Sequence, residues 1–115
     1  MMLDSLLMCF LLACCHTYGV EPEFALAVAR VESGTKTQEY RIGRLGRSNF
    51  YGPMGVHRCF LKTGSPFEVI ELGVKALRGK DKAKVLRRYN PKLDRAYERA
   101  VMATYRQLKK QRSTP

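Results

Sequence analysis

The chain is short of acidic residues, of long apolar runs and of any strand-like alternation of apolar and polar residues. Its 115 residues carry 10 Asp and Glu against 21 Lys and Arg, a formal net charge of +11. Such an imbalance points to an anionic partner: nucleic acid, an acidic membrane, or a cell wall bearing carboxylates and phosphates. A solvated basic coat on ordinary helices explains the same charge. No apolar run reaches the roughly 20 residues that a membrane-crossing helix needs. No repeat or low-complexity tract is present, which sets aside solenoids and disordered linkers. Cysteine is sparse. Cys9, Cys14 and Cys15 lie too close along one helix to pair well with each other. Cys59 stands alone, and no spacing reads as a zinc site. His16 follows Cys15 and His57 precedes Cys59, but neither pair makes a four-ligand set, so no metal and no cofactor is implied. A catalytic Cys–His pair lacks a visible activating third group.

A positively charged start is missing too. The chain opens Met1-Met2-Leu3-Asp4, whereas a secretory signal begins with Lys or Arg. Leu6 to Cys15 is nearly all apolar, and Leu11-Leu12-Ala13-Cys14 looks like a lipoprotein cleavage box. Residues 1–18 therefore read as the first helix of the domain, with a signal segment as the alternative. The length fits a single domain over residues 1–115 with a real core.

What is there reads as helices. The first runs from about Asp4 to Tyr18 and stops at Gly19. The second, from Pro22 to Ser33, has proline at a first helical position and Gly34 where a left-handed residue ends a helix. A long polar loop, residues 35–51, follows, and loops of that length in compact domains are often functional. Gly52-Pro53-Met54-Gly55-Val56 opens a short helical turn that continues to about Leu61. Ser65-Pro66-Phe67-Glu68 matches a capping box ahead of Phe67, Ile70, Val74 and Leu77 at helical spacing, closed by Gly79. Asp81 caps a short basic helix, and Asn90-Pro91 starts the last one. That helix has Leu93, Tyr97, Ala100, Val101, Thr104 and Leu108 on its inner stripe, and residues 109–115 form a frayed basic tail. The fold class is all-α, a compact core of five to six helices.

Glu32 is the most informative residue. It sits in the last turn of an apolar helix, four residues after Val28 and seven after Ala25, on their stripe. Apolar burial and the electronegative helix end both disfavour ionisation. A carboxyl kept protonated near neutral pH suits a general acid for glycosidic cleavage. A surface glutamate on the polar edge of an ordinary helix is the plain alternative. No second acid recurs in a comparable apolar setting: Glu39 lies in the polar loop, and Glu68, Glu71 and Asp81 fall on or near solvated faces. A single-acid mechanism, with the substrate's own groups assisting, fits that shortage.

Three segments share an order. They are Tyr18-Gly19-Val20-Glu21-Pro22 leading to Val31-Glu32-Ser33-Gly34, then Ser48-Asn49-Phe50-Tyr51-Gly52-Pro53-Met54-Gly55-Val56, then Arg88-Tyr89-Asn90-Pro91 with Tyr97 and Val101 beyond. Together they resemble the lytic transglycosylases of the soluble (SLT) type, relatives of goose-type lysozyme, over about Leu6 to Leu108. The resemblance implies a lysozyme-like domain with a long loop flanking a cleft. It implies cleavage of the β-1,4 bond between N-acetylmuramic acid and N-acetylglucosamine in peptidoglycan, with 1,6-anhydro ends, or hydrolysis in muramidases of the same fold. By the same resemblance Glu32 is the acid and base, Tyr89 stands beside it, and Asn90 follows in the motif. Ser33, Ser48, Tyr51, Gly52 and Met54 shape the cleft. The implied partners are glycan strands and the anionic wall surface rather than nucleic acid, and the implied state is a monomer. It would act at the wall, in the periplasm or outside the cell, carried by a phage virion, a secretion system or another route. Gly55 stands where many members have a glycan-reaching glutamine, and Pro91 where many have a small residue and glycine. The plain alternative for Tyr89 is a core aromatic, and for Gly52-Pro53-Met54-Gly55 an ordinary turn with a core methionine. Two other functions remain open: a small basic helical nucleic-acid-binding protein, suggested by the charge and by residues 78–88, and a non-catalytic wall-binding relative of the same fold.

Overall fold

The computed structural model describes residues 5–33, 50–51, 54, 56–57, 60, 62–63, 65–89 and 95–113. Five helices account for nearly all of them: α1 Ser5–Tyr18, α2 Pro22–Ser33, α3 Pro66–Ala76, α4 Lys82–Tyr89 and α5 Arg95–Ser113. A two-residue antiparallel pair, β1 Phe50–Tyr51 and β2 Val56–His57, is the sole strand structure among the described residues, with Phe50 opposite His57 and Tyr51 opposite Val56. The fold is all-helical apart from that pair. It replaces most of the helical turn expected from Gly52, and a 3₁₀ turn occurs at Phe60. The reason lies in residue type: aromatic and β-branched residues on either side of a Gly-Pro turn signal favour a hairpin over a helix.

The ends of the helices follow the chain's punctuation. Gly19 takes φ +68°, and the Val20 amide donates back to the Cys15 carbonyl at 2.9 Å, the closing bond of a Schellman motif. Two residues on, the Glu21 carbonyl accepts from the amides of Phe24 and Ala25 at 3.1 Å each, so α2 starts with Pro22 at its first position. At α3 the Ser65 hydroxyl accepts from the Glu68 amide at 3.1 Å. The other half of the capping box is replaced. The Glu68 carboxylate accepts from the Lys62 and Thr63 amides at 2.9–3.0 Å, and Ser65 N–H goes to the Thr63 hydroxyl instead. The preceding bend presents more orphan amides than Ser65 alone, and the charged acceptor goes to them. Arg88 caps the far end of α3 through bonds to the carbonyls of Arg78 at 2.6 Å and Ala76 at 3.3 Å. Asp81 caps α4 as expected, accepting from the Lys84 amide at 3.3 Å.

α2 is the central helix. Glu23, Phe24, Ala25, Ala27, Val28 and Ala29 are all buried, nearly all round its circumference. Its alanines present little bulk, which lets α5 pack closely along one side while α1 covers another. α1 also packs along α3, burying Leu7, Leu11, Cys14 and Cys15. It is therefore part of the core. On α3 the expected Ile70, Val74 and Leu77 are buried and joined by Val69, whereas Phe67 is 38% exposed. On α5 Tyr97 and Val101 are buried as expected; Ala100 is exposed, and Tyr105 takes the next buried place. The supposed frayed tail is helical to Ser113, and Lys109 is anchored to Glu21 at 3.3 Å. A salt contact to the base of α2 extends the helix one turn further than composition suggests. Among the described residues no helix is long and apolar enough to cross a membrane.

Candidate functional site

Four segments meet at the carboxyl end of α2. Glu32 occupies the last turn, half-buried. Tyr97, in the first turn of α5, donates its hydroxyl to Glu32 Oε2 at 2.8 Å. Tyr89, the last residue of α4, donates its hydroxyl to the backbone carbonyl of Met54. Met54 lies between the two short strands and is fully buried.

The sequence explains the meeting. The antiparallel α2–α5 packing brings the start of α5 to the end of α2, and Tyr97 begins the buried stripe that continues through Val101 and Tyr105. Met54 is seated by Gly73 of α3, where a Cβ would lie 2.5 Å from Met54 Cβ and 2.7 Å from its Cγ. Any larger residue there would collide with the methionine whose carbonyl holds Tyr89.

Two phenols share the site with the Glu32 carboxylate. Burial raises the Tyr89 pKa well above the ordinary tyrosine value, and the charges of Glu32 and Tyr97 raise it further. Tyr97 is raised as well, by burial first and then by the Glu32 charge and the hydrogen bond. Both phenols thus stay protonated and serve as donors at any physiological pH. The hydrogen bond from Tyr97 fixes one Glu32 oxygen and favours the ionised form of that carboxyl.

The other described carboxylates are engaged elsewhere. Glu21 holds Lys82 and Lys109 at the opposite end of α2, Glu23 is buried near the Cys15 thiol, and Glu68 gathers loop amides. Glu71 accepts from the Tyr18 hydroxyl at 3.2 Å, and Glu98 sits 3.9 Å from Arg87. Among the described residues no His/Cys/Asp/Glu group has the makings of a metal site. Cys14 and Cys15 are poor nucleophiles: burial pushes Cys15 up to about 12, with Cys14 and Glu23 adding to it, and burial also raises Cys14. Cys9 is exposed, as is His16.

Of the residues singled out from sequence, the structure brings together Glu32, Tyr89 and Met54. Ser33 ends α2 and Tyr51 lies in β1; their side chains lie outside the described set. Ser48, Gly52 and Asn90, with Gly55 and Glu39, also lie outside the described residues. The resemblance puts Tyr89 beside Glu32; the hydroxyl bonded to Glu32 at 2.8 Å is that of Tyr97, which the sequence places on the inner stripe of α5 and in the third of the ordered segments. Gly73 carried no signal beyond being a glycine inside a helix, a position that costs about 1 kcal/mol against alanine unless packing demands it.

The chain matches no protein-family model, and neither a curated protein nor a solved structure is significantly similar to it.

Proposed function

We propose that the protein is a peptidoglycan lytic transglycosylase with a lysozyme-like fold, in which Glu32 is the single acid and base. The observation that carries this reading is the bond from Tyr97 to a half-buried Glu32 at the end of α2, with Tyr89 and Met54 beside it. The order of the three sequence segments converges on the same place.

The chemistry needs one carboxyl used twice. Protonated Glu32 donates to the glycosidic oxygen as the C1–O bond breaks and positive charge builds on the muramoyl ring. The resulting carboxylate, held by Tyr97, stabilises that charge and then takes the proton of the muramoyl 6-hydroxyl. That oxygen closes on C1 to give a 1,6-anhydro end, and Glu32 is protonated again. No water is consumed, and no second carboxylate is required. Tyr89 and Met54 build the wall against which Glu32 is oriented, and the basic surface draws the anionic polymer by an attraction that salt weakens.

Nucleic-acid binding is the weaker reading. The basic segment 78–88 spends several cations internally: Arg88 caps α3, Lys82 lies 3.1 Å from Glu21, and Arg78 stacks over the Tyr18 ring. The test is clearing of cell-wall sacculi by wild type and Glu32→Gln, with mass spectrometry of the products. Anhydro ends released by wild type alone support the proposal. Equal clearing by both proteins removes Glu32 from the reaction, and reducing ends would make the enzyme a hydrolase. Sacculus binding without any product leaves a non-catalytic wall-binding protein.

A further inference from the structure

The outer face of α1 has the wrong chemistry for a surface facing water. Its exposed residues are Ser5, Leu6, Cys9, Leu12, Ala13, His16 and Thr17. None is Asp, Glu, Lys or Arg, although the chain carries 31 such residues, 21 basic and 10 acidic. Leu6 is 67% exposed and Leu12 41%, and the patch continues onto α3 through Phe10 and Phe67, whose rings meet edge to face at 5.2 Å. A contiguous apolar face of this kind marks an interaction surface.

Charge decides what covers it. Every Lys and Arg lies at or beyond Arg30, so the uncharged helix is set in a strongly cationic body. Arg78 stands over the Tyr18 ring at the end of the α1–α3 seam, beside Glu71, which accepts from the Tyr18 hydroxyl; Lys62, just before α3, and Lys75, in its last turn, are exposed. A second copy would bring +11 against +11. An anionic lipid surface instead offers an apolar layer for the leucines and phosphates for the cations. α1 has 14 residues, about 21 Å of helix at 1.5 Å per residue, too short to cross a bilayer and suited to lying in its plane.

We propose that the outer face of α1, with Phe67 and the cations Lys62, Lys75 and Arg78, docks the protein on an anionic lipid bilayer. Leu6, Cys9 and Leu12 enter the boundary between headgroups and acyl chains, and the cations meet lipid phosphates. This holds whether or not Glu32 is catalytic.

Vesicle flotation tests it, with phosphatidylglycerol/phosphatidylcholine vesicles and pure phosphatidylcholine vesicles. Wild type is expected to float with the anionic vesicles and much less with the neutral ones, and added salt weakens but does not abolish binding. Leu6→Glu/Leu12→Glu should reduce partitioning about tenfold or more by removing apolar insertion and adding repulsion. Cys9→Glu in the middle of the face should act in the same direction, and Lys75→Gln should weaken binding to anionic vesicles alone. Circular dichroism melts establish that each variant is folded, and the Cys9 substitution serves if the double one is not. Glu32→Gln should float like wild type, which separates this result from the fate of the catalytic reading. Wild type that does not float, folded variants that float equally well, or a twofold mass in light scattering that the double variant abolishes would each overturn the proposal; the last would assign the face to a second copy.

Discussion

The two ends of α2 carry the same motif with opposite surroundings. At each end a glutamate accepts a hydroxyl from a tyrosine of α5: Tyr105 to Glu21 at 2.8 and 2.9 Å, Tyr97 to Glu32 at 2.8 Å. Glu21 sits just before the helix, where the macrodipole favours negative charge, and Lys82 and Lys109 lie within 3.3 Å of it. Burial works to raise its pKa, but the bonds from Tyr105, Lys82 and Lys109 outweigh that and hold it down at about 2. Glu32 sits in the last turn, where the helix end repels a carboxylate, and Tyr97 and Tyr89 are among its neighbours. The same pair of residue types makes a lasting anion at Glu21 and, on the function proposed above, a proton-handling group at Glu32. Lys82 and Lys109 hold the charge at Glu21, and the helix direction is opposite at the two ends.

The contrast is broken most severely by exchanging the two acids for their amides. Glu32→Gln should lower activity on sacculi by about 10²–10⁴-fold, the usual range for loss of a general acid. Its melting temperature should barely move, because glutamine can still accept from Tyr97. Glu21→Gln should leave activity within about twofold of wild type, far below the effect of losing an acid–base catalyst.

Next in size is Tyr97→Phe. A hydrogen bond to a charged group is worth about 1.5–3 kcal/mol, so the loss should be about 10–100-fold in activity if the bond acts in the transition state. The fall should appear in kcat, and the alkaline limb of the pH–rate profile, set by loss of the proton that the general acid donates, should move, a change that mere loosening of the core would not produce.

Gly73→Ala comes third. In an open helix this change would stabilise by about 1 kcal/mol. Here the new Cβ meets Met54 at 2.5 Å, so a loss of about 1–3 kcal/mol in urea unfolding is expected instead. A stabilised Gly73→Ala protein would mean that Met54 is not seated where the site requires it.

The smallest effect concerns acid. The folded pKa of Glu21, about 2, lies below the ordinary 4.5, so its contribution is fully present above pH 4.5 and is lost as pH falls towards 2. Its side chain is 40% exposed, so solvent screening limits the contribution to about 1 kcal/mol. Glu21→Gln should flatten the melting temperature between those pH values, and unchanged acid sensitivity would discount the network.

The helices were readable wherever local chemistry decided them. Gly19, Pro22, Ser65, Pro66 and Asp81 stand where they end or start helices in the structure. Glu32 was legible from its own helix because position in a turn and apolar neighbours are local facts. Tyr97 was not, since its partner is 65 residues away and a buried tyrosine at helical spacing looks the same whether or not its hydroxyl is in use. The hairpin at Val56 was lost because two paired residues per strand leave no period to read. Lys109 passed for tail because the acid that fixes it lies in the approach to α2. For Tyr97 and Lys109 the missing information was a long-range pairing.

The account is tested most directly by soluble muropeptides released from purified sacculi, quantified by mass spectrometry for wild type, Glu32→Gln and Glu21→Gln side by side. It predicts 1,6-anhydro products from wild type and Glu21→Gln at similar rates and essentially none from Glu32→Gln. Products from Glu32→Gln at the wild-type rate, or an equal loss in both variants, would contradict the division of labour between the two ends of α2.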